Sequence, residues 1–224
     1  MRETRYQKYH GNVPSVPERP NIQPVRSRNI GTTKMKPIND RTQIDQYGVL
    51  LREMMSTEKR REYEFNPDWV RNRGWKVVPA ESMARIPVPD IPRIVSTLRR
   101  AGYTECIAVF NEPGYIQHLP LIVAGDPPSG LATCHLVSLD EVDFQNFNRE
   151  LGAFRSVLLP EDSSWAISCN EWYNLFGARP ELLEALLGQP IEQARRQFAE
   201  LAAAVAKGNA DETLLKVAKH YAAL

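Results

Sequence analysis

The side chains best suited to chemistry or recognition fall in two clusters, the acidic pair Glu161-Asp162 and Glu171 followed by Trp172-Tyr173. Paired carboxylates do acid–base work when buried and close together; otherwise they present negative charge to a partner. Here the pair sits in Pro160-Glu161-Asp162-Ser163-Ser164, a run of turn formers in which carboxylates are solvated. Asp140, Glu141, Asp143 and Glu150 on one predicted helix, with Glu112, Asp126, Glu181 and Glu184, make an acidic surface the better reading. Trp172 and Tyr173 are adjacent in a predicted strand, so they point to opposite faces. One of them is therefore expected outward beside Glu171, as a candidate interface anchor.

Other chemistries find little support. The four histidines, His10, His118, His135 and His220, lack HxxxH or HExxH spacing, and Cys134-His135 alternate across a predicted strand. No metal or other cofactor is implied. Ser163-Ser164 and Ser168-Cys169 lie in no GxSxG elbow, and Cys169 ends an apolar run where a thiol behaves as a small hydrophobe. The segment Gly125–Gly130 carries prolines where a phosphate loop needs backbone N–H donors. An enzyme using loop 111–130 as a lid remains a reading that no residue requires.

Charge divides the chain. Residues 1–43 hold nine Lys/Arg against three Asp/Glu, a net +6, and residues 101–224 carry a net −8. Arg2, Arg5, Lys8, Arg26, Arg28, Lys34 and Lys36 could neutralise nucleic-acid phosphates, with Tyr6 and Tyr9 placed for stacking. The acidic half suits a basic protein partner instead. No apolar run reaches the roughly 20 residues of a membrane span. The opening MRETRYQKYHGNVPSV has no apolar core of a secretory signal. Three cysteines without CxxC spacing do not form a disulfide framework, so a reducing cytoplasm is the expected compartment. Oligomeric state leaves no trace in the residues.

The elements that must position these residues follow from periodicity and punctuation. Five prolines in residues 1–43 predict an extended or disordered basic arm. Residues 44–87 read as a helical linker segment. Thr42 is the expected cap of a helix whose stripe is Ile44, Tyr47, Leu51, Met54 and Met55, and Asn66-Pro67-Asp68 opens a short helix ending at Gly74. A brief strand at Trp75–Val78 precedes Pro79, Pro87, Pro89 and Pro92, which mark a soft boundary. The acidic domain, 88–224, then runs through a helix after Asp90, strands at 106–110 and 133–139, a loop at 111–130 with a short strand near 119–123, and a helix capped by Ser138–Glu141. Next come a three-strand meander over 154–176 and helices starting at Pro180, Pro190 and Asn209. The expected fold class is α+β, a mainly antiparallel sheet packed by helices.

The run FRSVLLPEDSSWAISCNEWYNLFGARPELLEALLG resembles small bacterial α+β proteins of the immunity type. In these a strand ends in a Pro-acidic turn, a Ser-Trp strand and an aromatic strand follow, and a glycine leads into a short helix. The matching positions are Leu158–Asp162, Ser164–Ile167, Tyr173, Gly177 and Leu182–Leu187, within residues 90–188. The resemblance implies an inhibitor-type binding protein and supplies no catalytic residues. The two functions expected are thus a non-enzymatic protein-binding module and, alternatively, a nucleic-acid-associated protein using the basic arm.

Overall fold

The first helix, α1 (Arg41–Met54), is capped by Asp40, whose carboxylate accepts the Thr42 N–H at 2.8 Å. The expected Thr42 cap is displaced because Thr42 already lies inside the first turn. Ile44, Gly48, Leu51 and Met54 form its buried side. In α2 (Pro67–Arg73), Asn66 caps the Asp68 N–H, proline occupies the first turn, and Gly74 closes the helix at φ 63°. This computed structural model describes residues 35–56, 64–82, 85–110, 134–150, 155–170, 172–208 and 212–224. All of them belong to one compact unit spanning Thr32–Leu224.

The remaining strands and helices follow in chain order. They are β1 (Lys36–Pro37), β2 (Lys76–Glu81), α3 (Ile91–Arg100), β3 (Glu105–Phe110), β4 (Cys134–Ser138) and α4 (Glu141–Glu150). Then follow β5 (Ser156–Leu159), β6 (Trp165–Cys169), β7 (Tyr173–Ala178), α5 (Pro180–Leu187), α6 (Ile191–Gly208) and α7 (Thr213–Ala222). Among the described residues seven strands form one sheet in the order β1-β4-β3-β5-β6-β7-β2, with every neighbouring pair antiparallel. The chain is therefore an α+β protein, and its predicted meander is the β5-β6-β7 centre of the sheet.

Both faces of that sheet are covered. Trp165, Ile167 and Cys169 of β6 pack with α3, α4 and α5 residues such as Leu98, Phe144 and Leu183. On the other face Tyr173 and Leu175 of β7 pack with Leu51, Val70, Phe198 and Tyr221. Burial on two sides explains why β5, β6 and β7 are buried throughout and show no polar alternation. Each fully buried large apolar side chain contributes about 1.5–3 kcal/mol. Among the described residues, no helix is long and apolar enough to cross a membrane.

Residues 44–87, expected as a linker, instead supply α1, α2 and the edge strand β2 of this same sheet. Pro79 marks no boundary: it pairs with Leu175 inside β2. Arg195 Nη2 donates to the outward Val77 carbonyl at 3.2 Å, so by the two-residue alternation the nitrogen of Pro79 also faces outward. A proline there removes no ladder hydrogen bond and blunts the edge. The predicted arm residues up to 34 and the loop and strand predicted within 111–130 lie outside the described residues.

Candidate functional site

At one end of the sheet the β5–β6 turn faces the start of β3 and the flank of α1. The turn is built by its own polar side chains. Asp162 Oδ1 accepts the Ser164 N–H at 3.1 Å and the Ser164 hydroxyl at 2.7 Å, and Ser163 N–H donates to the Pro160 carbonyl. Ser163 takes φ 52°, a left-handed conformation strained for a residue with a Cβ. Its hold on that geometry leaves Glu161 and Asp162 exposed at the tip.

Gly102, at φ 96°, turns the chain from α3 into β3 and delivers Tyr103 to this turn. The Tyr103 ring meets Trp165 edge-on at 6.0 Å, while its hydroxyl hydrogen-bonds the Ser164 hydroxyl and reaches Asp162 Oδ2 at 3.4 Å. From the other side α1 presents Gln43 and Tyr47, one helical turn apart on the same flank. Together with Ile38, Glu105 and Leu136 these residues enclose a cleft of about 410 Å³. Burial raises the Tyr47 pKa, and the Glu161 carboxylate is the largest charge adding to it. The phenol thus stays protonated as a donor inside a negative pocket.

Glu105, Glu161 and Asp162 line the cleft, and among the described residues no Lys, Arg or His does. Among the described residues, no group of three or more His, Cys, Asp or Glu is arranged to hold a metal ion. The cleft's one thiol, Cys106, is buried, and burial pushes its pKa well above the usual range. Cys169, on the opposite end of the same sheet face, is pushed up to about 12 by burial, with the Ser156 hydrogen bond opposing. Both thiols remain protonated and pack as small apolar groups. The arrangement can attract and hydrogen-bond a cationic side chain; it offers no activated nucleophile.

The other predicted recognition residues lie elsewhere. Asn170 Oδ1 accepts the N–H groups of Trp172 and Tyr173 at 2.9 and 3.0 Å, fixing the reversal between β6 and β7. Tyr173 turns inward onto Phe198 with ring centroids 6.4 Å apart, and Trp172 is the outward member, 58% exposed. Successive turns of a meander fall at opposite ends, so the length of β6, on the order of 17 Å by strand rise, separates Trp172 from Glu161 and Asp162. The residues form two places and not one patch. Glu171, Arg2, Arg5, Lys8, Arg26, Arg28 and Lys34 lie outside the described residues, and Lys36 is exposed on β1.

The sequence reading missed Gln43, Tyr47, Tyr103 and Glu105 as members of the cleft. The signal available was slight: Tyr47 is the one aromatic in the α1 stripe, half-buried where Ile44 and Leu51 are buried. No protein-family model, curated protein or solved structure matches the chain.

Proposed function

We propose that this chain is a non-enzymatic protein-binding module, of the immunity or inhibitor type, whose acidic cleft engages a basic protein partner. The observation that carries this reading is the convergence of Glu105, Glu161 and Asp162 on one concave cleft with no basic side chain among its described lining residues. Tyr47 and Tyr103 add amphipathic rings of the kind enriched where interfaces concentrate their energy. Complementary charge speeds encounter with a basic partner and rejects acidic competitors. The three buried cysteines, none of them in a disulfide, are consistent with a reducing cytoplasm.

The test is affinity capture on the immobilised full chain, with Glu161→Lys and Glu105→Lys as comparisons. A basic protein held by the wild type, released by salt and lost with either reversal supports the reading. Equal recovery by wild type and both reversals overturns it. Nucleic acid retained at low salt, and lost when Arg2, Arg5 and Lys8 are neutralised, favours the nucleic-acid alternative.

A further inference from the structure

We propose that the groove between α6 and α7 is an oxyanion site, with Arg195 and Arg196 as its ligand-binding residues and a carboxylate or phosphate as the group bound. The groove, about 350 Å³, lies on the β2 side of the sheet, away from the acidic cleft, and is lined by Glu192, Arg195, Arg196, Ala199, Ala218 and Ala222. Ala218 and Ala222 are one turn apart on α7, so their methyl groups form an apolar floor without filling the space.

The site's evidence is the state of Arg195. Its side chain is only 12% exposed, yet it has no buried counter-charge among the described residues. Glu192 Oε1 approaches Nη1 at 3.5 Å, but that carboxylate side chain is 80% exposed and its charge is spent largely on water. Nη2 donates to the Val77 carbonyl, and Nε is fully buried with no acceptor among the described residues. Burial lowers the guanidinium pKa, with Glu192 opposing, which fits a cation removed from water and incompletely paired. Desolvated charges are normally matched by an opposite charge and by hydrogen bonds.

Capping one edge carbonyl does not account for this residue, because that needs one donor and no charge. A planar oxyanion or phosphate seated in the groove supplies the missing counter-charge and acceptors for the Nη N–H groups of the fork that line it, with Nε held behind them. Arg196, exposed on the same groove, adds a second cation. Glu192 at the rim opposes an incoming anion and holds the affinity down.

The experiment titrates the full chain with inorganic phosphate and, separately, acetate, each against chloride at constant ionic strength. Binding is read by calorimetry and by the Arg195 Nε–H resonance. Saturable binding of either anion with movement of that resonance is the expected result, and the two titrations decide between phosphate and carboxylate. Arg195→Lys, which keeps the charge but loses the fork, weakens binding by about tenfold or more. Arg196→Ala weakens it several-fold, and Glu192→Gln tightens it. If Arg195→Lys does not fold, the Arg196 and Glu192 variants carry the decision. Absence of saturable binding by both anions, or affinities unchanged in Arg196→Ala and Glu192→Gln, overturns the proposal.

Discussion

Asn148 offers the sharpest physical test of how the layers are joined. Near the end of α4, its Oδ1 accepts the Ile86 N–H at 3.1 Å and its Nδ2 donates to the Ile86 carbonyl at 2.8 Å. Asn148 is 3% exposed and Ile86 2%. The carboxamide thus does for one residue what a neighbouring strand would do, on the segment that leads from β2 to α3. Asn148→Ala leaves a buried donor and a buried acceptor without partners, at about 1–3 kcal/mol each. The expected loss is about 2–5 kcal/mol, a large part of a typical stability of roughly 5–15 kcal/mol. Urea unfolding at pH 7 should show the midpoint lowered by on the order of 1 M or more, with the slope unchanged. Asn148→Asp separates hydrogen bonding from size. Its carboxyl, buried and facing the Ile86 carbonyl, has a folded pKa raised above the unfolded value of about 4. The protonated acid both donates and accepts, so the stability it contributes is present below about pH 4 and is lost as pH rises through the folded pKa. A midpoint within about 0.3 M of wild type for the alanine variant, or a pH-independent deficit for the aspartate variant, would refute the reasoning.

Two further expectations rest on other parts of the fold. Tyr221 is wholly buried and its hydroxyl accepts the Phe65 N–H at 3.0 Å, so Tyr221→Phe keeps the ring, orphans that N–H and costs about 1–3 kcal/mol in denaturant unfolding; a loss below about 0.3 kcal/mol counts against that bond. Burial lowers the folded pKa of His135 below its unfolded value of about 6.5. Its contribution is therefore present above that value and lost as pH falls through the folded pKa, so His135→Leu should flatten the decline in stability between about pH 7 and 5. An identical decline in the variant would show that other groups set it.

Several elements could be read from local chemistry because their causes are local. Pro160–Ser164 makes a turn wherever two apolar runs flank it, and Pro180 with Gly188 brackets α5, whose C-terminal glycine takes φ 69°. Asn66, Pro67 and Gly74 bracket α2 for the same reason. Pro79 was opaque, because whether a proline breaks a strand depends on which neighbour its missing N–H would have faced. The cap of α1 turned on two residues, Asp40 against Thr42, both of suitable type.

What the sequence by itself determined was the helices and strands from α1 to α7 among the described residues, but not β1 in the expected arm, together with the acidity of the β5–β6 turn and the rule that one of Trp172 and Tyr173 must face outward. Strand alternation and turn propensity act over a few residues, so the residues suffice to state them. Which of the two aromatics emerged depended on the packing of Phe198 against Tyr173. The cleft was decided by tertiary structure alone. Its walls come from Ile38, α1, β3, β4 and the turn, segments more than a hundred residues apart, and only the order of strands in the sheet brings Glu105 and Tyr47 to Glu161.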